Sequence, residues 1–209
     1  MVPSLRLDND ERAYLFDLAR QRPARSRSTA DPAAARLVVD LSPLPAMLID
    51  HRFDILAWNE EMAGLMLDFG ALPVEQRNTM WLCLCHPAMR EFYRERERVI
   101  SEGIADLRAA WAARPDDESL VDLVGELTVH SPEFAALWER RDVRVNGRGR
   151  KRLHHPRVGP LAIDFEVLNP LGEPDQRLII YRAADAASQT ALDAISREAA
   201  EPHPTLRAL

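Results

Sequence analysis

The feature that most constrains this chain is a change of hydrophobic period within residues 131–167, SPEFAALWERRDVRVNGRGRKRLHHPRVGPLAIDFEV. Ser131 followed by Pro132 has the chemistry of a helix start: a hydroxyl accepts from the orphan amides of the first turn, and proline needs no amide partner at the first helical position. The helix that follows puts Phe134, Leu137 and Trp138 on one face. After Val143 the period falls to two, with Leu161, Ile163, Phe165 and Val167 on one side and Ala162, Asp164 and Glu166 on the other. A helix that hands the chain to a half-buried strand belongs to a mixed fold, and excludes an all-helical bundle or an all-strand barrel.

Composition narrows the class further. A chain of 209 residues, 46 % of them hydrophobic, buries one sizeable core. Its formal net charge of −6 argues against a surface dominated by phosphate recognition. Every positive residue except Lys151 is arginine, a skew read as genomic composition and given no functional weight. Cys83 and Cys85 lie too close in sequence for an ordinary staple, which fits a reducing, cytoplasmic setting. No stretch approaches the ~20 apolar residues needed to span a bilayer.

Along the chain, residues 8–19 read as a short amphipathic helix and residues 21–32, QRPARSRSTADP, as a linker. Residues 33–41 suit a lead-in helix that Pro43 and Pro45 end. Two short strands, residues 46–49 and 54–58, flank a tight hairpin at Asp50-His51-Arg52-Phe53, and Asn59 caps the next helix with Met62, Leu65 and Met66 inward. A helix from Asn78 precedes Pro87, and Met89, Phe92, Tyr93, Val99, Ile100, Ile104, Leu107 and Trp111 trace one long helix. Asp116-Asp117 opens another, with Leu120, Leu123, Val124 and Leu127 inward. Three late strands follow at 150–155, 159–168 and 177–183. The expected fold is α+β: a five-stranded antiparallel sheet, two strands early and three late, with helices on one face.

Several motifs recur in one order: Phe53-Asp54-x-Leu56-Ala57-Trp58-Asn59, Leu72-Pro73, Arg77-Asn78, Ser131-Pro132-x-Phe134-x-x-Leu137-Trp138, Lys151, His155-Pro156 and Val158-Gly159-x-Leu161. Together they resemble the ligand-binding domain of MmyB-like bacterial transcription regulators. That resemblance implies a PAS-like sensor domain, attached to an amino-terminal helix-turn-helix of the XRE type, with fatty-acid-like ligands. On this reading residues 1–20 are the remnant last helix of the DNA-binding domain, 21–34 the linker, 35–185 the ligand-binding domain and 186–209 a carboxy-terminal tail. The recognition helix that should precede residue 8 is not in the sequence, so DNA would be bound only through a part that is largely missing.

The implied ligand site joins Trp58, Met62, Trp81, Phe92, Trp138 and Phe165 as apolar walls with Arg77, Asn78 and His155 as polar contacts. A hydrophobic acid would bury its tail against the aromatic set and place its carboxylate near the Arg77 fork or His155. Each residue also has a plainer role. Trp58 and the other apolar residues serve as core, Asn59 as a cap, Arg77 as a solvated loop residue, and His155 as a strand-end imidazole bonded to a backbone carbonyl.

Cys83-x-Cys85-His86 with His154 or His155 offers zinc-type ligands, but the spacing is not that of a zinc hook and buried cysteine behaves as a small hydrophobe, so no metal or cofactor is assigned. Arg90, Arg94, Arg96 and Arg98, interspersed with glutamates, read as a solvated helix face. The cluster Arg144, Arg148, Arg150, Lys151 and Arg152 reads as an exposed turn that guards an edge strand. The function expected is non-catalytic sensing that modulates an attached helix-turn-helix, with a homodimer as the family's usual assembly. A ligand-free interaction module and an enzyme using His155 with Cys85 or Asp164 are the alternatives, and a cavity in the interior favours sensing.

Overall fold

The computed structural model describes residues 28–140, 147–170, 173 and 175–200. The amphipathic segment expected at residues 8–19, most of the linker, Arg144 and the last nine residues lie outside that set. Seven α-helices are found among the described residues. They are α1 (Pro32–Asp40), α2 (Glu60–Leu65), α3 (Thr79–Cys85), α4 (Arg96–Ala113), α5 (Glu118–His130), α6 (Pro132–Glu139) and α7 (Ala186–Ala200). The strands are β1 (Ala46–Asp50), β2 (Ile55–Trp58), β3 (Arg148–His155), β4 (Gly159–Leu168) and β5 (Gln176–Ala183). They form one antiparallel sheet in the order β2-β1-β5-β4-β3. This is the α+β arrangement that the change of period implies.

The helix starts follow from local chemistry. Side chains of Asp31, Asn59, Asn78, Asp117 and Ser131 each accept from an amide of the helix that follows, and Pro32 and Pro132 occupy the first helical positions of α1 and α6. Two of these caps do more. Asn59 is buried and also accepts from Ala46 N at 3.0 Å while donating to Val38 O and Leu44 O at 3.2 and 2.8 Å. Asn78 is buried, accepts from Met80 N and Trp81 N at 3.0 Å, and donates to Arg52 O and Asp54 Oδ1 at 2.8 and 2.9 Å. Each amide therefore ties a helix start to the β1–β2 hairpin.

The period of two divides the sheet into faces. Met47, Ile49, Leu161, Ile163, Phe165, Ile179 and Tyr181 join the main core beneath α2 to α6. Ala46, Leu48 and Leu178 face the other side, where α1 covers them with Ala34 and Val38. Helix α7 extends the main layer, burying Leu192 and Ile195, with Ser188 Oγ accepting from Ala162 N at 2.8 Å. The segment from residue 186, expected as a tail able to form a helix through Gln189, Leu192 and Ile195, is a helix packed on the domain as far as it is described.

One expected element is corrected. Met89, Phe92 and Tyr93 do not belong to the helix that carries Trp111. Met89 ends a short 3₁₀ turn, and Tyr93 instead bridges Leu153 of the edge strand β3, with His154 N donating to Phe92 O at 2.7 Å and Arg94 N to Arg152 O at 2.9 Å. The helix begins only at Arg96. Residues 92–94 thereby satisfy backbone groups that an open edge would leave bare. The other edge is treated alike: Ile55 N donates to Arg77 O and Thr79 N to Phe53 O at the start of β2.

Candidate functional site

Between the main face of the sheet and helices α3 and α4 lies a cavity of about 100 Å³. Its apolar wall includes Met47, Ile49, Phe53, Met66, Met80 and Ile100. Two glycines shape it through close approach. A Cβ on Gly103 of α4 would lie 2.5 Å from Met80 Sδ, and one on Gly149 of β3 would lie 3.0 Å from the Phe165 ring. Without side chains there, the Met80 thioether and the Phe165 ring settle against backbone and leave the interior open.

The polar end of the cavity holds the chain's single lysine. Lys151 Nζ sits over the rings of Phe165, Tyr93 and Tyr181, at 4.6, 5.4 and 5.7 Å from their centroids. No carboxylate among the described residues forms an ion pair with it. Three aromatic faces stabilise an ammonium electrostatically but accept none of its hydrogen bonds in the strong geometry of a carboxylate. Beside it the Cys83 thiol is pushed up to about 11 by burial, so it is a neutral, apolar part of the wall.

Also on the cavity wall, Arg177 of β5 and Asp106 of α4 face each other, Nη1 to Oδ2 at 3.6 Å. The guanidinium lies over the Phe53 ring at 4.5 Å, and Arg177 Nη2 donates to Asp50 O at 3.4 Å. Arg177 Nε and Asp106 Oδ1 are buried without hydrogen-bond partners among the described residues. Beyond this pair opens a groove of about 310 Å³ lined by His51, Ala109, Ala110, Arg114, Asn169 and Asp175. Asp106, Val167 and Arg177 line both spaces.

Burial raises Asp106 from 3.8 to about 6, against the pull of Arg177 and Lys151 and with the push of Glu102. The folded chain therefore holds this proton more tightly than the unfolded chain does. The stabilisation is complete below the unfolded value of 3.8 and is lost as the pH rises through about 6. The wild-type protein is expected to gain roughly 2 kcal/mol on Asp106→Asn between pH 7 and pH 4, a figure reduced for solvent screening. Urea unfolding of both proteins at the two pH values checks this; a constant difference would show that Asp106 titrates normally.

The residues expected at the site are placed mostly elsewhere. Phe165 is the one member of that set among the cavity's lining residues. Met62 is buried in the core of α2, and Phe92 stands behind Tyr93, edge to face at 4.9 Å. Trp58 packs edge-on against Phe69 at 5.5 Å, with the Arg77 guanidinium over its ring at 5.6 Å. Arg77 spends its donors on Leu72 O and Gly70 O, and Asn78 is the doubly used cap described above. Trp81 lies near His86, and Trp138 stacks on Phe134 at 5.4 Å beneath Arg108 in the joint of α4 and α6. His155 is engaged by backbone at both ring nitrogens: Nε2 lies 3.1 Å from Gly64 O, and Nδ1 accepts from Arg157 N and Val158 N. Burial depresses its basicity. No three histidine, cysteine or acidic side chains among the described residues form a metal-holding group.

Reasoning from sequence leaves Lys151, a motif residue, out of the ligand site and passes over Asp106, Arg177, Tyr93 and Tyr181 there. Composition alone puts Lys151 in an exposed basic cluster, but its parity in β3 points the other way. Leu153 and His155, two and four positions on, are both buried, so 151 shares their inward face. Arg150 points outward and pairs with Asp164, and Arg152 pairs with Glu95.

No curated protein sequence matches this one. The profile of the MmyB-like transcription regulator ligand binding domain family matches residues 30–195, which spans α1 through most of α7 and contains the entire sheet with its cavity. The chain belongs to the MmyB-like transcription regulator ligand-binding domain family.

Proposed function

We propose that this domain senses a hydrophobic acid of the fatty-acid type and, through an attached helix-turn-helix, adjusts DNA binding without catalysing a reaction. The observation that carries the reading is the cavity itself. An apolar space between sheet and helices reaches an ammonium group that forms no ion pair with a carboxylate among the described residues, although Glu102 and Asp106 also line the space. A ligand carboxylate would supply the strong acceptor that the aromatic faces do not, while its hydrocarbon part replaces empty volume along Met47, Ile49, Met80 and Ile100. This moves the proposed carboxylate contact from Arg77 or His155, whose donors meet backbone carbonyls, to Lys151. The inner cavity is small beside the ~300–1,000 Å³ usual for ligand pockets. A long-chain ligand would therefore extend into the adjoining groove.

The test is native mass spectrometry of the purified chain, followed by denaturing extraction of any molecule carried through purification. A stoichiometric long-chain acid is the expected result. A clean unliganded mass, together with no thermal shift across saturated acids from hexanoate to hexadecanoate, would overturn the reading and favour a ligand-free interaction module.

Gly103→Ala supplies a filled-cavity control. The added methyl must displace the Met80 thioether, and since Met80 and Gly103 both line the cavity, the change is expected to reduce its volume. Alanine also favours the helix by up to about 1 kcal/mol over glycine, so the variant is expected to stay within about 1 kcal/mol of the wild-type stability. Dodecanoate affinity is expected to fall about tenfold or more, as measured by calorimetry, because roughly one well-packed contact region of ~1.4 kcal/mol is lost. Unchanged affinity would place the ligand elsewhere.

A further inference from the structure

The segment that leads into the domain is fastened to the same strand ends that border the cavity. Gln176 and Arg177 are neighbours on β5 and point to opposite faces. Gln176 Nε2 donates to Thr29 O at 3.0 Å, and its Oε1 accepts from Asp31 N at 3.1 Å, beside the cap of α1. Asp50, paired with Gln176 across the sheet, accepts from Ser28 Oγ at 3.1 Å through its carboxylate. Arg52 bonds both that hydroxyl, at 3.1 Å, and the Asp50 carboxylate, at 3.0 Å. Arg177 in turn holds the backbone carbonyl of Asp50.

Arg177 is the weakest-bonded member of this chain of contacts. Its distances to the Asp106 carboxylate and to the Asp50 carbonyl oxygen are 3.6 and 3.4 Å, both long for a hydrogen bond from a charged donor, and its Nε has no partner among the described residues. It also stands between the inner cavity and the groove. A group held this loosely at a partition moves at small cost, and the groove on its far side carries Asn169 and the Asp175 carboxylate, which a displaced guanidinium would share with Arg114.

We infer that the Asp106–Arg177 pair is a partition which a ligand longer than the inner cavity must part, and that parting it loosens residues 28–31 from the sheet. The inference rests on the ligand cavity proposed above. A short acid fits on the Lys151 side and leaves the partition closed. A long acid crosses it, draws Arg177 away from Asp50, and weakens the anchor of Ser28 and of the Gln176 clasp. The domain would thereby convert ligand length into the firmness with which the preceding chain is held.

The experiment is hydrogen–deuterium exchange on the full chain with hexanoate and with hexadecanoate, after calorimetry has confirmed saturation by each. Hexadecanoate is expected to speed exchange of the peptide covering residues 28–36 about tenfold, the equivalent of one charged hydrogen bond, while hexanoate leaves it unchanged. Equal behaviour with both acids, once both are bound, overturns the partition. Binding of neither acid overturns the underlying cavity reading instead, and the two failures are distinct.

Ser28→Ala, which removes the hydroxyl held by Asp50 and Arg52 and touches none of the residues lining the cavity, gives a second check by reciprocity. If long ligands loosen residues 28–31, loosening those residues must tighten long ligands, by up to the same factor. The variant is expected to bind hexadecanoate severalfold more tightly than the wild type and hexanoate with unchanged affinity. An equal change for both acids, or none for either, overturns the coupling.

Discussion

Replacing Lys151 by methionine is expected to lower the affinity for dodecanoate by about 30-fold while leaving the affinity for dodecanol unchanged. Methionine keeps an unbranched apolar side chain of similar reach over Phe165, Tyr93 and Tyr181, so the cavity keeps its wall and loses only its charge. A hydrogen bond to a charged group contributes about 1.5–3 kcal/mol, which sets the size of the loss. The same change removes a cation–π contribution of about 1–2 kcal/mol from the fold, partly offset by the desolvation cost of the ammonium, so unfolding stability should move by no more than about that amount. Calorimetric titration of both ligands into both proteins checks the result. Equal dodecanoate affinities would remove Lys151 from the site, and parallel losses for acid and alcohol would show a change of shape rather than of charge.

Asn59→Ala is expected to cost about 3–5 kcal/mol, a large share of the 5–15 kcal/mol that holds a typical domain together. The amide makes four hydrogen bonds in a buried setting: two accepted, from Ala46 N and Met62 N, and two donated, to Val38 O and Leu44 O. Alanine strands all four backbone groups at the meeting point of α1, β1 and α2. Asn59→Asp should do no better at neutral pH, since it restores the two acceptors but turns a carboxylate toward two carbonyl oxygens. Urea denaturation measures both variants. A cost below about 1 kcal/mol for alanine would mean that water replaces the amide, and would reduce Asn59 to an ordinary cap.

These two residues divide what can be read from sequence from what cannot. Asn59 stands directly before an apolar helical stripe, and capping chemistry is local, so its role as a helix start is legible in residues 59–66. Its two donated bonds are not, because Val38 and Leu44 come near only when α1 folds over the back of the sheet. Ser131 and Asp117 are legible for the same local reason. The strands emerge within a residue or two of their expected bounds, since a period of two sustained over four to ten residues suits an extended chain and little else.

Segment 89–95 is ambiguous in sequence because spacings of three and four suit a helix and equally suit a turn followed by a short extended run. The open edge of β3 makes the choice, since it needs backbone partners that Phe92 and Arg94 supply. The aromatic residues expected around a ligand occupy the most hydrophobic positions. Such positions tend to be filled core, as with Trp138 between Phe134, Trp111 and Arg108. A cavity instead forms where packing falls short, here beside Gly103 and Gly149.

By itself the order and period of the residues determined the α+β class, the sheet with its helical layer, the helix starts and the family, because each rests on interactions between residues near in sequence or on motifs in linear order. Only the tertiary structure decided that Lys151 faces inward over three aromatic rings, that Asp106 meets Arg177, and that Gln176 and Asp50 hold residues 28–31. Those pairings join positions up to 147 apart. They depend on how α4 crosses the sheet and how closely its glycine lets Met80 approach, which are properties of packing in three dimensions rather than of any local pattern.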